Sequence, residues 1–575
     1  MTALAELVMT DETPFDFYLR RQSDLSAVDR FAKSSSARPL AGAPPQQQRY
    51  YRNLLPATAP GPGQQYGFEV DLDACTGCKA CVTACHSLNG LDDDESWRSV
   101  GLLHSAASNG GSTALQTVTT GCHHCVDPAC LNGCPVEAYE KNPITGIVAH
   151  LDDQCIGCGY CTLMCPYEVP RYNASRGIVR KCDMCQDRLG VGEAPACVQA
   201  CPNEAIRISL VDKGEVVARS LITRLVPGAP VSHHTSPTTV YRTSRETFRS
   251  LVAVDEHALR PSPPHPPLAV MLVLTQLSVG AFVIHAVLRH FADPVVVGAL
   301  RPYNAAVALA MGILALGASV GHLGRPLFAF RAVIGVRHSW LSREIVAFGA
   351  FSALAAVYAA TVWLGPTSAA GWLDVLGVGV AAAGALGVVS SVMVYAVTPK
   401  HWWRARTTGT KFGLTALIGG LAIVMLTSEL AAVRLGAGLP ARTWTHVVTP
   451  AAKALAVVCL LKLLFESLIF THLRPPRARP RSRRYGRVGD STTAELRRTA
   501  SLLSGALLRF TVARFALTLV CGVALPITLV TVPFHGLVSS IGCALVLAGC
   551  VGGELIERYQ FFRAVSAPRM PGGLA

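Results

Sequence analysis

Four runs of closely spaced cysteines constrain this chain more than any other feature. Sixteen of its twenty cysteines belong to them. A tight C-x2-C-x2-C loop supplies three thiolates to one [4Fe–4S] cubane, and the more distant fourth cysteine of a run typically binds the partner cluster. The runs therefore predict four [4Fe–4S] clusters in two ferredoxin-like pairs, with all sixteen cysteines as iron ligands. The runs are Cys75, Cys78, Cys81 and Cys85; Cys122, Cys125, Cys130 and Cys134; Cys155, Cys158, Cys161 and Cys165; and Cys182, Cys185, Cys197 and Cys201.

Zinc and disulfides are the alternative uses of such cysteines. Zinc ribbons need two C-x2-C pairs for each metal, not a tetrad that ends in Cys-Pro, as three of these runs do. Disulfides require an oxidising compartment and do not favour such local spacing. His86 follows the first run in place of proline, and the second and fourth runs have longer gaps. Iron–sulfur clusters remain the preferred interpretation, and four in one chain can hand electrons on one at a time.

Charge and hydropathy divide the chain near residue 265. The net charge is about −5 before this point and about +19 after it, within a total of +14. The basic residues after it lie mostly between apolar segments, so a membrane explains them better than a nucleic acid does, and no nucleic-acid partner is expected. The mean hydropathy of +0.36 over the whole chain also indicates integral membrane spans.

The organisation that follows has four parts, because 575 residues exceed one ordinary domain. An N-terminal arm and linker without a signal peptide is expected at 1–66. An α+β ferredoxin-like domain with two double-cluster modules is expected at 67–210, with strands at 68–70 and 206–208 and a solvated acidic loop at 92–95. A connector rich in Pro, Ser and Thr is expected at 211–265. An all-α polytopic membrane bundle of about eight helices is expected at 266–575.

The eight apolar stretches also carry an orientation signal. With eight spans, the N-terminal domain, the loops after each even-numbered span and the C-terminus share one side. Those loops hold most of the basic residues, so the positive-inside rule predicts a cytoplasmic iron–sulfur domain. The expected spans are 268–289, 303–322, 344–364, 373–397, 412–433, 447–470, 511–533 and 538–556.

Two ionisable residues near the cluster-bearing face are candidates for a quinol site. His322 ends the second span and Glu344 opens the third. Quinol oxidation releases two electrons and two protons, so a proton acceptor is needed beside an electron acceptor. Both residues also have structural explanations: Glu344 suits the positive end of a helix dipole, and His322 suits a helix end before Gly324 and Pro326. Residue type alone leaves both explanations open.

Other polar residues in the apolar half have structural interpretations. Lys462 and Glu466 are four residues apart and are expected to pair. Haem is not expected, because only His285 lies well inside a span and haem needs facing histidines. The remaining cysteines are expected to be small buried residues: Cys459, Cys521, Cys543 and Cys550. A charged interfacial cap is expected at the end of the last span: Glu554, Glu557 and Arg558.

These strings resemble a known family. The residues up to 210 resemble the four-cluster subunit of the dimethyl sulfoxide reductase family, through the segments 75–81 and 155–161 and through Cys182-Asp183-Met184-Cys185. Residues 268–565 resemble the eight-helix membrane anchor of the same enzymes, through the segments 322–326, 339–344 and 557–559. Two usually separate subunits are therefore expected here as one chain, an electron-transfer and anchor subunit rather than a catalytic one.

The resemblance implies how the cysteines are shared among clusters. It assigns Cys75, Cys78, Cys81 and Cys201 to cluster 1; Cys182, Cys185, Cys197 and Cys85 to cluster 2; Cys122, Cys125, Cys130 and Cys165 to cluster 3; and Cys155, Cys158, Cys161 and Cys134 to cluster 4. It matches His322 and Glu344 to the family's quinol site and implies menaquinone or ubiquinone as the mobile substrate. It places a molybdenum bis-pterin cofactor in a separate catalytic partner only.

The direction of electron flow stays open. Dimethyl sulfoxide reductase faces the periplasm, whereas the loop charges here favour the cytoplasmic side of a bacterial inner membrane. Relatives that face the cytoplasm resemble sulfite dehydrogenases, which pass electrons to quinone. A redox-driven membrane pump is the alternative from a different class, and it would need charges near the membrane midplane. A self-contained enzyme would need a substrate-binding domain, and no part of the chain is left for one.

Overall fold

The structure is a computed structural model, and it describes residues 51–105, 114–365, 370–435, 443–474, 488–532 and 536–572. Most of the predicted N-terminal arm, residues 1–50, lies outside this part of the chain. Within it, an α+β domain with the four cysteine runs precedes a bundle of long helices, as expected from the sequence.

Two three-stranded sheets form the frame of the iron–sulfur domain. β1 pairs antiparallel with β8, with Phe68 opposite Ile208, so both strands expected from their apolar residues are present. Two further hairpins, β4–β5 and β6–β7, stand beside the second and third cysteine runs. The strands are β1 (Gln64–Asp71), β2 (Ser99–Ser105), β3 (Leu115–Thr120), β4 (Tyr139–Lys141), β5 (Val148–His150), β6 (Arg171–Asn173), β7 (Ile178–Arg180), β8 (Ile206–Asp212), β9 (Val240–Arg242) and β10 (Leu251–Ala253).

Short helices in this domain hold several of the clustered cysteines. Cys81 and Cys85 lie on α1, Cys161 on α3 and Cys197 on α5. The helices are α1 (Ala80–Leu88), α2 (Ala129–Gly133), α3 (Tyr160–Met164), α4 (Gln186–Gly190), α5 (Ala196–Gln199) and α6 (Lys213–Ile222).

The segment after β8, expected to be a connector, is folded onto the domain. Its strand β9 pairs with β1 in parallel, and β10 pairs antiparallel with β2. These pairings join residues more than 140 positions apart, and no short-range pattern predicts them. The C-terminal segment returns to the β10–β2–β3 sheet. Leu102 of β2 donates a backbone hydrogen bond to Gly572, and Met570 is buried against this part of the domain.

Eight helices in the described residues are long and apolar enough to cross a membrane, which confirms the predicted number. An additional amphipathic helix, α7 (Val488–Ser504), lies between the sixth and seventh spans. The spans, numbered in chain order, are Pro266–Leu288, Pro294–Gly321, Trp340–Leu364, Gly371–Ala396, Ala405–Ala432, Trp444–Leu473, Leu508–Thr531 and Leu537–Arg563.

Span 1 lies at the centre of the bundle. It packs against spans 2, 4, 5 and 8, and it approaches span 5 so closely that a side chain at Gly280 would overlap the backbone of Ala416. Small residues permit this approach of membrane helices. Phe282, Phe351 and Tyr358 pack edge to face between spans 1 and 3 and fill the core of spans 1–4.

Two predicted exposed charged groups are buried instead. Glu95 is 4% exposed, because its carboxylate accepts hydrogen bonds from Trp97, Asn173 and Arg180. The predicted cap at the end of span 8 is also wrong. Glu554 is 1% exposed and Arg558 is fully buried, because both point into the helix bundle toward oppositely charged side chains.

Candidate functional site

The sixteen clustered cysteines converge in four groups of four. Three of the groups line separate small cavities, with between 290 and 380 Å³ of atom-free space. We call them site 1 (Cys75, Cys78, Cys81 and Cys201), site 2 (Cys85, Cys182, Cys185 and Cys197) and site 3 (Cys122, Cys125, Cys130 and Cys165). These are the groups that the family resemblance implies.

The fourth group, site 4, comprises Cys134, Cys155, Cys158 and Cys161. Its thiols are close enough to influence one another electrostatically. Each of the four sites takes one cysteine from a different run, as β1–β8 pairing brings the first and fourth runs together and the α2–α3 contact joins the second and third. The family resemblance implies this membership, and the strand and helix contacts bring in the fourth cysteine of each group from a distant run.

The thiol groups suit a multinuclear cluster better than a single ion. Within the described residues, no three His, Cys, Asp or Glu side chains are close enough to hold one metal ion. In each of sites 1–3, the four cysteines instead face one common cavity. A cubane needs four thiolates around a core larger than one ion, so the residues present fit a [4Fe–4S] group and not zinc.

Burial and mutual repulsion keep most of these thiols protonated in the metal-free protein. Burial, reinforced by the neighbouring Cys197, raises the pKa of Cys85 to about 12, and burial raises that of Cys130 to about 12. Iron binding must therefore displace protons, and the positive metal core supplies the charge that stabilises four adjacent thiolates.

The loop between spans 2 and 3 is bound directly to site 4. Within this loop, a 3-10 helix (Pro326–Arg337) lies against the backbone that carries Cys134. Gly335 donates a backbone hydrogen bond to Pro135 at 2.8 Å, and the His338 ring bonds the Cys134 carbonyl at 3.0 Å. Ser339 Oγ donates to Gly133 at 2.7 Å. The backbone around Cys134 of site 4 is therefore bound directly to the loop that joins spans 2 and 3.

The other side of site 4 meets the start of the same loop. Arg325 donates its backbone N–H to Ile156 at 3.1 Å and its guanidinium to the Asp152 carbonyl at 2.8 Å. Gly324 touches the backbone of Gly177 so closely that any side chain at either position would overlap it. Glycine is required here because two backbones come together without side chains between them.

Glu344 is buried beside this junction without a charged partner. It is 3% exposed, its Oε1 has no hydrogen-bond partner among the described residues, and Ser391 lies next to it. Tyr160, two residues after Cys158, also lies near the carboxylate and donates its hydroxyl to Val394 at 2.7 Å. Tyr395 completes the surroundings from span 4.

His322 reaches the same cysteine loop from the end of span 2. The half-buried ring lies against the backbone of Cys158, and it bonds the carbonyl of Ser319. Burial lowers the pKa of His322 below its usual value, so the ring is neutral at pH 7. His322 and Glu344 thus lie against neighbouring residues of one segment, Cys158 and Tyr160.

The opposite end of the domain is open to solvent. Cys78 of site 1 is exposed, whereas every other clustered cysteine is buried or half-buried. A shallow groove lined by Leu88, Arg188 and Gln199 opens between α1 and α5, close to sites 1 and 2. The four sites therefore extend from the membrane helices to an exposed surface.

Spans 5–8 contain a buried ionic network, of which the sequence predicts only the pair of Lys462 and Glu466. Lys462 and Glu466 form the predicted pair at 3.9 Å, but Lys462 also contacts Glu554. Arg514 bridges Glu466 at 3.2 Å and Glu554 at 3.1 Å. Its members are Lys411, Lys462, Glu466, Arg514, Glu554, Glu557 and Arg558. The signal that was available is their spacing on span 8, where 554, 557 and 558 share one helix face.

Comparisons with known proteins match both halves of the sequence. The model of a 4Fe-4S dicluster domain matches residues 113–211, and that of the DMSO reductase anchor subunit (DmsC) matches residues 263–467. The sequence is 34% identical over 195 residues to the B subunit of anaerobic dimethyl sulfoxide reductase from Escherichia coli strain K12, a match that covers 31% of this chain and 88% of that protein.

Two further relatives match the same domain. The B subunit of anaerobic dimethyl sulfoxide reductase from Haemophilus influenzae is 37% identical over 162 residues, which cover 26% of this chain and 76% of that protein. The formate dehydrogenase-O iron-sulfur subunit of Escherichia coli strain K12 is 35% identical over 175 residues, which cover 27% of this chain and 57% of that protein. The similarity in the first half therefore extends to iron–sulfur subunits of more than one oxidoreductase.

Proposed function

This protein belongs to the dimethyl sulfoxide reductase family, as an iron–sulfur electron-transfer subunit joined to a multi-pass membrane anchor, and on this basis we propose that it passes electrons between the quinone pool and a separate catalytic subunit. That partner carries the molybdenum bis-pterin cofactor and performs the substrate chemistry. The domain boundaries of this proposal are those expected from the sequence, with 67–210 carrying the clusters and 266–575 the quinone site.

Sites 1–4 each hold one [4Fe–4S] cluster in this proposal, with the sixteen cysteines as iron ligands. Two observations support this assignment. The cysteines of sites 1–3 line three separate cavities, and those of site 4 lie close to one another. The described residues form no alternative site for a single metal ion. Such clusters supply one-electron redox chemistry. The protein's contribution is to fix four thiols at each site and to exclude water around them.

His322 and Glu344 form the quinone site in this proposal. Quinol oxidation requires that two protons leave as two electrons depart, and quinone reduction requires the reverse. A neutral imidazole and a buried carboxylate without a counter-charge are both able to take or give a proton. Tyr160 lies between Glu344 and Cys158 and would limit the access of water to this position.

One observation carries the proposal: the loop that joins His322 to Glu344 is hydrogen-bonded to both cysteine-bearing segments of site 4. The proposed proton-exchanging residues and the nearest proposed cluster ligands are therefore joined by direct hydrogen bonds between the segments that carry them. Exposed Cys78 lies in the group at the other end of the domain, where a catalytic partner would dock.

We propose a bacterial inner-membrane location with the iron–sulfur domain in the cytoplasm, supported by the basic loops on that side. This orientation favours a second candidate function, in which a sulfite dehydrogenase-type partner delivers electrons to quinone. A redox-driven pump is less supported, because the buried charges of spans 5–8 are paired with one another.

Metal analysis and quinol reduction test the proposal together. Protein purified without oxygen is expected to hold about sixteen iron atoms per chain, as four cubanes require, and a reduced quinone analogue is expected to change the electron paramagnetic resonance (EPR) signals of the clusters. Zinc in place of iron would contradict the cluster assignment. Full iron content without any response to quinol or quinone would contradict the quinone site.

A reporter fused after residue 575 tests the orientation. Because eight spans return the C-terminus to the side of the iron–sulfur domain, a reporter active only in the cytoplasm is expected. Activity only in the periplasm would reverse the orientation and would remove the support for the sulfite dehydrogenase-type alternative.

A further inference from the structure

Lys181 lies inside the iron–sulfur domain between two cysteine groups. It precedes Cys182 of site 2 and lines the cavity of site 3. Its ammonium group donates to the carbonyls of Val148 and, at 2.9 Å, Cys182, and it lies 3.8 Å from Cys122 Sγ of site 3. With 2% of its surface exposed, this cation is shielded from solvent. It therefore lies where sites 2 and 3 meet.

The charge of Lys181 is not neutralised by a carboxylate. Among the described residues, no carboxylate oxygen lies within 4 Å of its ammonium, whereas the preceding residue, Arg180, pairs with Glu95 at 2.9 Å. The contacts of the ammonium are instead two backbone carbonyl oxygens and Cys122 Sγ. Cysteine thiolates that bind iron at sites 2 and 3 would therefore supply its counter-charge.

Arg98 has a corresponding place between sites 1 and 2. Its guanidinium lines the site 2 cavity, bonds Thr119 Oγ1 at 3.3 Å and lies over the Phe68 ring. Thr119 in turn contacts Cys81 of site 1. The junction of sites 3 and 4 is different, because Tyr139, an uncharged residue, lies near Cys130, Cys134 and Cys161. Site 2 therefore has a buried cation on two sides.

We infer that the buried ammonium of Lys181 raises the reduction potentials of the clusters at sites 2 and 3, and so controls electron transfer between the two ferredoxin-like modules. This inference rests on the proposed function, because it requires both sites to hold clusters. An electron added to a cluster increases its negative charge, and a nearby cation favours that state, more strongly in a low-dielectric interior. The potentials considered are those for adding one electron to each cluster.

The test is a redox titration of the intact protein, followed by EPR, in the variants Lys181→Gln and Lys181→Met. Two of the four midpoint potentials are expected to fall, each by at least a tenfold change in the reduction equilibrium, which is 59 mV for one electron. Gln keeps hydrogen-bond donors but not the charge, so both variants should show the same pattern. A shift confined to one cluster, or restored by Gln, would indicate only a hydrogen bond to Cys122 and would overturn the inference.

Two further variants sharpen the assignment. Arg98→Gln is expected to lower two midpoints, of which one is also lowered by the Lys181 variants, because site 2 lies beside both cations. Lys141→Met is the matched control: Lys141 donates to the carbonyls of Cys125 at 3.0 Å and Val126 at 2.6 Å, both in the site 3 loop alone. It should lower one midpoint at most. If the two clusters shifted by the Lys181 variants and the two shifted by Arg98→Gln had none in common, the inference would be overturned.

The outcomes separate this inference from the proposed function. If the unsubstituted protein lacks four clusters, the proposed function fails. If it has four, and the Lys181 variants keep full iron content with unchanged midpoints, the inference alone fails. If both Lys181 variants lose iron while Lys141→Met retains it, Lys181 is an assembly residue and the control of potentials is overturned.

Discussion

The two halves of the membrane region bury ionisable side chains near the same face in opposite ways. In spans 1–4, Glu344 has no ion pair among the described residues and lies near two tyrosines and a serine. In spans 5–8, four cations and three carboxylates are paired with one another. Removing one member of a buried ion pair destabilises a fold because it leaves the other charge uncompensated, whereas a buried carboxylate without an ion pair is a candidate for chemistry.

Contact between the halves limits how independent they are. Arg558 of span 8 donates to Gln276 of span 1 at 2.8 Å and to Thr415 of span 5 at 3.0 Å. Tyr395 lies close enough to both Glu344 and Arg558 to be influenced by each charge. Because the charges differ in this way, substitutions of the paired residues in spans 5–8 are expected to change mainly stability. Substitutions around Glu344 in spans 1–4 are expected to change mainly activity.

Glu554→Gln is expected to have the largest effect. The substitution leaves Lys462 and Arg514 buried with Glu466 as their shared counter-charge, and breaking a buried pair in this way costs about 3–5 kcal/mol. The free energy of unfolding in detergent, measured by denaturant titration, should fall by this amount. Unchanged stability would mean that the network is not structural, and the distinction between the halves would be lost.

Glu344→Gln should instead abolish turnover with quinol and preserve the fold. Removing a group that exchanges protons costs at least about 100-fold in rate, while a neutral amide is easier to bury than an unpaired carboxylate. Steady-state kinetics with a quinol analogue and the iron content of the same sample provide the measurement. Wild-type turnover would remove Glu344 from the quinone site.

Ser391→Ala is expected to have a smaller effect of the same kind. Ser391 lies beside Glu344, and a hydroxyl that bonds to the carboxylate only during turnover would contribute about 0.5–1.5 kcal/mol, or roughly 2- to 13-fold in rate. The kinetic experiment used for Glu344 measures it. A loss as large as that of Glu344→Gln would mean that the serine itself takes part in proton transfer.

Asp374→Asn should have the smallest effect and is the matched control for Glu554→Gln. Asp374 pairs with Arg289 at 2.6 Å and Arg301 at 3.0 Å, but 39% of its side chain is exposed. Exposed ion pairs are worth at most about 1 kcal/mol. Unfolding in detergent should show a decrease below this value. A decrease equal to that of Glu554→Gln would show that burial does not explain the difference between the halves.

The cysteine runs and the spans were predictable because both are local properties of the sequence, whereas the sharing of cysteines between runs was implied only by the family resemblance. A cluster loop needs its cysteines at fixed short spacings, and a span needs about twenty consecutive apolar residues. The candidates His322 and Glu344 were found because an ionisable residue stands out against an apolar background. The structure adds that both lie against the loop of Cys158.

The features that were missed depend on distant parts of the sequence. The strands β9 and β10 are too short to be recognised before their partners β1 and β2 are known. Glu554 was expected at an interface, since its position near a helix end says nothing of Lys462 and Arg514 on other helices. In the sequence, Lys181 is simply a basic residue beside Cys182. Its position between two cysteine groups depends on Cys122, which is 59 residues away.

The return of the C-terminal segment to the β10–β2–β3 sheet has a consequence for biosynthesis. Gly572 bonds Leu102, and Arg569 pairs with Asp255 at 2.6 Å. A ribosome makes the iron–sulfur domain first, yet the residues that close this edge of its sheet emerge only after the eighth helix has been translated. Completion of the electron-carrying domain is thereby coupled to successful insertion of the whole anchor, so a polypeptide truncated in the bilayer would leave a domain with an unfinished edge.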